Sequence, residues 1–180
     1  MKSIKRLVAA LVVAVIAASA LGLSYFLPRH DVVYVTGVEV KRVDDEGVIS
    51  AENLADGPTR DMYFINTENP DTKSVRVYRN EDTGWGFPWY FKFDTADVQA
   101  RAQGYSRDTS QLALISYYGW RIQILSMFPN ITEVKATTTR DEPLPIFNIV
   151  FFVVLGALLV AVLIWIRRRL KHRANQVVTL

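Results

Sequence analysis

The chain of 180 residues contains no cysteine and only two histidines, His30 and His172. Without cysteine it forms no disulfide, binds no metal through thiolate and has no cysteine nucleophile. Because no histidine lies between residues 31 and 171, the middle of the chain also lacks the base of a Ser-His-Asp triad. There is no glycine-rich phosphate loop either. The sequence therefore predicts no metal, no cofactor and no catalytic residue, and it favours a protein that is not an enzyme.

Acidic residues are missing from both ends of the chain. Residues 1–27 and 146–180 contain eight basic residues and no acidic one, whereas residues 28–145 contain 13 basic and 18 acidic residues, a net charge of −5. The isoelectric point of about 9.2 therefore describes two short tails. Nucleic acid is recognised through a basic patch on a folded domain, so we expect no nucleic-acid partner.

Two long hydrophobic runs lie beside these basic tails. Each has 21 uncharged residues, Leu7–Leu27 and Ile146–Ile166, and about 20 apolar residues in a helix span the hydrocarbon layer of a bilayer. Basic residues that flank a span stay in the cytoplasm. The sequence therefore predicts two transmembrane helices with the lipid bilayer as a partner and both termini in the cytoplasm. The predicted parts are an N-terminal anchor (1–27), an extracytoplasmic domain (28–145), a C-terminal span (146–166) and a basic tail (167–180).

The first run has a second interpretation, a cleaved signal peptide, because Ala18-Ser19-Ala20 fits an A-x-A cleavage pattern. We favour an uncleaved anchor, since the run continues to Leu27. Small residues recur at every fourth position in both runs, namely Ala10, Ala14, Ala18, Gly22, Ala157 and Ala161. Alanine is common in such anchors, but ridges of small residues also let membrane helices pack closely. We therefore expect contact with another membrane protein or self-association.

Residues 28–145 predict a small α+β domain, mainly β with one helix, built as a sheet or a partly closed barrel. Its first strand, Asp31–Val43, alternates, and Gly37 marks a bulge or a bend in it. The face expected to be buried carries Val32, Tyr34, Val38 and Val40. An acidic loop follows over Asp44–Thr59. The later strands are Asp61–Asn66 and Ser74–Tyr78, which we predict to form a hairpin, then Gln111–Tyr118, Trp120–Leu125 and Ile131–Ala136.

One soluble helix is predicted, over Asp94–Gly104. Asp94 is expected to cap its first turn through the side chain, and Gly104 is expected to close it in the left-handed conformation. Val98 and Ala102 mark the face that packs on the sheet.

An aromatic segment precedes this helix. Tyr78–Phe93 contains seven aromatic residues, and its glycines and proline argue against regular structure, so we name residues 84–91 the aromatic loop. Three interpretations stay open. The side chains of Trp85, Phe87, Trp89 and Phe91 cover the end of the sheet, or they lie in the outer membrane interface, or they contact a protein or ligand. The candidate contact residues are Arg79, Asp82, Trp85, Trp89, Tyr90, Trp120 and Arg121.

Four blocks carry a resemblance to a known family: Tyr78–Trp85 (YRNEDTGW), Lys92–Ala100 (KFDTADVQA), Tyr118–Arg121 (YGWR) and Phe128–Asn130 (FPN). With a hydrophobic run at each end, the chain resembles over nearly its whole length the bacterial membrane proteins grouped as domain of unknown function 1523. The resemblance implies a bacterial inner-membrane protein with a periplasmic domain. It implies no activity, so no catalytic residue can be transferred.

These observations favour a non-enzymatic, membrane-tethered periplasmic interaction module, an accessory or assembly subunit of an inner-membrane or envelope complex. One alternative is an envelope enzyme that acts on lipid or cell-wall substrates with carboxylates such as Asp82, Asp94 and Asp97. Another is a periplasmic ligand sensor, which would need a partner because the two tails are too short to form an output domain.

Overall fold

The computed structural model describes residues 2–44, 47–49, 58–108 and 110–177. Its elements in chain order are α1 (Lys2–Phe26), β1 (Arg29–Asp44), β2 (Gly47–Val48), β3 (Arg60–Glu68), β4 (Val75–Asn80), α2 (Thr95–Ser106), β5 (Leu112–Tyr118), β6 (Asn130–Thr137) and α3 (Ile146–Val177). The chain divides into two units, Met1–Pro143 and Leu144–Leu180. Most of the predicted acidic loop, Asp44–Thr59, lies outside the described residues.

The sheet of the first unit closes on itself. β1 pairs with β3 through its second half and with β5 through its first half, and both pairings are antiparallel. β3 and β4 form the predicted hairpin, β5 and β6 pair antiparallel, and β4 meets β6 in parallel at Arg79 and Asn130. β2 adds only a two-residue pairing to the end of β1. The five longer strands therefore form the closed version of the predicted barrel.

The order of these five strands identifies the topology. Around the barrel the order is β1, β3, β4, β6, β5 and back to β1, and the neighbours β4 and β6 are parallel. Numbered along the chain without β2, this is the order 1-2-3-5-4-1. The helix α2 connects β4 to β5, the third and fourth of these five strands. This is the connectivity of an OB-fold, a five-stranded Greek-key barrel. The same fold serves many functions, so a function has to be argued from a site.

The bulge predicted at Gly37 is present, because the register of β1 against β3 shifts between Val35 and Gly37. An inserted residue reverses the alternation of faces. Val33 and Val35 therefore line the core before the bulge, and Val38 packs against it afterwards. The predicted buried face is confirmed only in part: Val32 is buried and Val38 packs against the core, whereas Tyr34 is half-buried and Val40 is 55% exposed.

The core lies inside the barrel and under α2, which packs against β1, β3, β4 and β6. Its members are Val33, Val35, Ile65, Tyr78, Val98, Ala102, Ala113, Ile115, Tyr117, Ile131 and Val134. The prediction that Val98 and Ala102 are the buried face of α2 is confirmed. Burial of their apolar area is what holds this short helix against the sheet.

Three local predictions were wrong. Asp94 precedes α2 but makes no capping hydrogen bond through its side chain. The helix continues past Gly104 to Ser106, and the following Arg107 has a right-handed conformation. The segment Trp120–Leu125 is not a strand. It contains a single bridge between Ile122 and Met127 around a short 3₁₀ turn. In each case tertiary contacts outweigh local propensity.

Within the described ranges, one helical segment is long and apolar enough to cross a membrane. It is Ile146–Arg169 in α3, with a mean hydropathy of 3.2 and no buried part, and it indicates by length and composition a membrane anchor at the C-terminal end. The apolar segment of α1, Ala10–Phe26, falls short of that length, so the predicted pair of spans is not confirmed. The helix α3 also continues through most of the predicted basic tail, to Val177.

Candidate functional site

The aromatic loop is held firmly at both ends. The backbone amide of Gly84 donates to the carbonyl of Lys92 at 3.1 Å, and the Lys92 amide donates to the Thr83 hydroxyl at 3.1 Å. One carboxylate oxygen of Asp82 accepts from both the amide and the hydroxyl of Thr95, at 3.0 and 2.7 Å. Asp82 thus performs the capping role predicted for Asp94, and it joins the loop to the start of α2.

A buried polar cluster supports the base of the loop. The Lys92 ammonium is 4% exposed and donates to the Asn80 side chain and to the Glu81 carbonyl. Asn130 accepts from the Glu81 amide at 2.9 Å and donates to the Glu81 carbonyl at 3.0 Å. Burial lowers the pKa of Lys92 to about 8, since desolvation disfavours the charged amine.

The large side chains of the loop point away from this base. Trp85, Phe87, Trp89, Phe91 and the following Phe93 are between 52% and 80% exposed. Their rings contact in two groups, Trp85 with Phe91 and Phe93, and Phe87 with Trp89. The interpretation that they cover the end of the sheet was therefore wrong. Among the aromatic residues of this loop, Tyr90 alone turns inward, where its ring stacks on Tyr118 at 4.7 Å between centroids.

The loop lies directly against the end of α1. The Tyr90 hydroxyl donates to the Phe26 carbonyl at 2.6 Å, and the Phe26 and Phe87 rings meet at 4.4 Å. On the other side of α1, the Gly119 amide donates to the Tyr25 carbonyl at 2.8 Å, and Tyr25 contacts Trp120 at 5.2 Å. The last turn of the apolar helix is thus clamped between two loops of the barrel.

The candidate contact residues fall into separate groups. Trp85 and Trp89 are displayed, whereas Asp82 and Tyr90 hold the loop in place. Arg79 pairs with Glu81 at 3.2 Å.

Trp120 and Arg121 belong to the second loop that reaches α1. The Arg121 guanidinium lies over the Phe128 ring at 4.2 Å and donates to the Met127 carbonyl at 2.9 Å. The candidates therefore do not form one site, although Tyr90 and Trp120 both contact the end of α1.

The predicted helix-packing residues lie on two helices that belong to different units. Ala10, Ala14 and Ala18 are exposed along α1, as are Ala157 and Ala161 on α3. Gly22, near the end of α1, has no atom of another element within 4 Å of an added Cβ. Their role in packing stays a prediction.

A second polar cluster was missed by the sequence reasoning. The Asp31 carboxylate accepts from Arg76 at 2.6 Å, from Tyr117 at 3.2 Å and from the Tyr78 hydroxyl in a short hydrogen bond. Burial raises the pKa of Tyr117 to about 12 and raises that of Tyr78 further. Arg76 and Tyr78 are two positions apart and therefore lie on one face of β4, which could have indicated a polar cluster. The sequence could not show its other members, Asp31 and Tyr117, because they are distant along the chain.

This cluster borders a cleft of about 480 Å³, which Arg121 and Glu142 also line. Tyrosines with raised pKa values stay protonated and donate hydrogen bonds; they are poor bases at neutral pH. No group of three acidic or histidine side chains suited to a metal occurs in the described ranges. The polar cluster around Asp31 is therefore suited to stabilising the fold and to making polar contacts.

The described residues define a chain with an OB-type barrel, a displayed aromatic loop and an apolar helix long enough for a membrane anchor. The chain matches the family described as "Protein of unknown function (DUF1523)" over residues 4–170, and it belongs to that family. A protein of Haemophilus influenzae, described as an uncharacterized protein, is 53% identical over 137 residues, which are 76% of this chain and 78% of that protein. No solved structure matches the chain.

Proposed function

We propose that the protein is a non-enzymatic interaction module of the bacterial inner membrane, with two spans, both termini in the cytoplasm and the barrel on the periplasmic side. In this arrangement the aromatic loop lies in the outer interface of the bilayer. The module serves as an accessory or assembly subunit of a membrane complex. Its partner is another membrane protein or a second copy of the chain.

The observation that carries the proposal is the position of the displayed aromatic side chains beside the end of α1. Phe87 touches Phe26, the last residue of that apolar helix. A helix that reaches the membrane surface at Phe26 brings Trp85 and Trp89 to the level of the headgroups, where tryptophan is enriched. Isolated exposed aromatics need no explanation, but four on one loop, with Phe93 just after it, indicate a contact surface.

Two further features support a functional loop. Phe91 has a φ of +51°, in the left-handed region, which costs a residue with a side chain about 1–2 kcal/mol. Its ring is still 52% exposed, so burial does not offset that strain. The second loop at the end of α1 also displays apolar side chains, Ile124 and Leu125. Strain and exposed apolar area together are typical of sites kept for contact.

Depth-dependent quenching tests the membrane position. The full chain is placed in vesicles with Trp89 as the sole tryptophan, the other three (Trp85, Trp120 and Trp165) being replaced by Phe. Lipids brominated near the headgroup are expected to quench Trp89. The control carries Arg60→Trp and no other tryptophan, because Arg60 is exposed and pairs with Val43, at the end of β1 farther from α1, and it is expected to stay unquenched. Equal quenching of both, or of neither, contradicts the interface position.

Size measurement tests the interaction role. The full chain is extracted in several mild detergents and its protein mass is measured by light scattering. We expect a species larger than the 20.4 kDa monomer. Ala14→Leu with Ala18→Leu should reduce its mass by filling the small-residue ridge, whereas Val13→Leu should not. A lone monomer in every detergent contradicts the proposal.

A further inference from the structure

Three arginines converge on one cleft beside the end of α1. The cleft has a volume of about 410 Å³, and its lining includes Arg29, Arg76, Arg121, Tyr117 and Trp120. Arg29 starts β1, Arg76 lies on β4 and Arg121 lies in the loop after β5. These positions are far apart in sequence and are brought together by closure of the barrel.

The positive charge of the cleft is only partly neutralised. Among its lining residues none is acidic, and the neighbouring Asp31 pairs with Arg76 alone. Neither Arg29 nor Arg121 forms an ion pair within the described part of the chain. Glu142 lines the adjoining cleft with Arg121 but forms no ion pair in the described ranges. Two arginines without an ion pair therefore lie at one cleft, in a domain whose residues 28–145 carry a net charge of −5. Such a concentration of like charge costs free energy unless an anion offsets it.

The guanidinium groups are held in place and keep donors to spare. Arg29 donates to the Ser24 carbonyl, Arg121 donates to the Met127 carbonyl, and Arg76 is fixed by Asp31 and the Tyr117 hydroxyl. Each of these arginines uses only one terminal nitrogen in these bonds, and a guanidinium group has five N–H donors. Planar forks of this kind match the oxygens of phosphate.

We propose that this cleft binds a phosphate group, supplied by the headgroup of a phospholipid or by a soluble phosphate. Arg29 follows α1 by three residues, and Gly119, which lines the cleft, donates to the Tyr25 carbonyl. The cleft therefore adjoins the end of the apolar helix. Only the phospholipid source rests on the proposed function, because only a helix that crosses the membrane brings the cleft to headgroup level.

The test separates the two sources. The full chain is purified in a phosphate-free maltoside detergent, and the bound phospholipid is measured by mass spectrometry. Its unfolding temperature is then followed during titration with inorganic phosphate, against sodium chloride at equal ionic strength. If phospholipid is retained and inorganic phosphate raises the unfolding temperature only after delipidation, the bound phosphate is that of a lipid headgroup. A response without retained lipid supports a soluble phosphate.

The variants connect either result to the cleft. Arg29→Gln with Arg121→Gln is expected to weaken phosphate or lipid retention at least about tenfold, the equivalent of one charge-assisted contact. Arg121→Lys keeps the charge but loses the fork, so its loss should be smaller. The matched control, Arg101→Gln with Arg107→Gln, removes two exposed charges, one in α2 and one directly after it, and should bind as the parent does.

Two results overturn the proposal: a parent chain that neither retains phospholipid nor responds to phosphate, or an equal loss in the α2 control. Because the parent chain is measured without any substitution, a variant that fails to fold leaves the first criterion intact. The phosphate titration is made in detergent, so its outcome is also independent of the Trp89 quenching experiment.

Discussion

Lys92 shows at the residue scale how the aromatic loop is held. Its ammonium is buried against Asn80 and the Glu81 carbonyl. If it is removed, the Asn80 side-chain oxygen loses its donor, whereas the Glu81 carbonyl still accepts from Asn130. The sequence marks Lys92 only as one member of a block that resembles the family. Its burial depends on Asn80 and Asn130, which the β4–β6 contact brings beside it, and no local pattern predicts that.

The buried amine makes stability depend on pH. The pKa of Lys92 is lowered by burial from 10.5 to about 8 in the folded chain. Between these values the unfolded chain holds a proton that the folded chain has released, so the free energy of unfolding rises with pH, by up to roughly 3 kcal/mol. Tyr78, Tyr90, Tyr117 and Tyr118 have raised pKa values, so stability falls again above about pH 10. Urea unfolding of the full chain in detergent, followed by tryptophan fluorescence from pH 7 to about 11, measures this.

Lys92→Met should remove the rise between about pH 8 and 10. Above about pH 10 it should be less stable than the parent by about 1–3 kcal/mol, because the buried Asn80 side-chain oxygen loses its donor, and this difference should shrink as the pH falls to about 7. The exposed Lys135→Met is the control, and it should keep the rise of the parent chain. A rise of the same size in Lys92→Met would assign the pH dependence to another group.

Replacing two glycines by alanine, with opposite expected effects on stability, tests how β5 and α2 are placed. Gly119 ends β5 with a φ of +95°, and an added Cβ would lie 3.4 Å from the Pro129 Cα and 3.7 Å from the Tyr25 ring. Gly119→Ala should therefore lower the free energy of unfolding by about 1–2 kcal/mol. It should also loosen the end of α1, which the Gly119 amide holds. Hydrogen exchange at residues 22–26 measures that loosening.

Gly104→Ala should have the opposite sign. Gly104 lies inside α2 with nothing within 4 Å of an added Cβ. Alanine there should raise stability by about 0.5–1 kcal/mol, because glycine is a poor helix former. If Gly104 instead closed the helix in the left-handed conformation, as the sequence suggests, alanine there should lower stability. Urea unfolding of this variant therefore distinguishes a Gly104 inside α2 from a Gly104 that ends it.

At the scale of the whole molecule, the chain offers a direct test of topology. It has no cysteine, so a single introduced thiol is labelled specifically. A maleimide that does not cross membranes should label Gln103→Cys, on the exposed face of α2, in intact spheroplasts. Ser3→Cys and Asn175→Cys should react only after permeabilisation if both termini are cytoplasmic. Labelling of Ser3→Cys in intact spheroplasts would contradict the first span.

The sequence by itself determined most of the elements and the family. Alternation of side chains predicts β1, the β3–β4 hairpin, β5 and β6, because apolar spacing along a strand is a local property. Segment length and composition similarly predict the apolar α3. The displayed aromatic loop was also located from its composition, although its exposure was left open among three interpretations.

Only the tertiary structure decided how distant residues meet. Asp31 and Tyr117 are separated by 86 positions and share a hydrogen bond because β1 and β5 close the barrel. The bulge in β1 selects which valines face the core, and the same closure gathers Arg29, Arg76 and Arg121 around one cleft. Sequence patterns report the preferences of neighbouring residues, whereas these contacts depend on strand order and register, which are set by packing over the whole barrel.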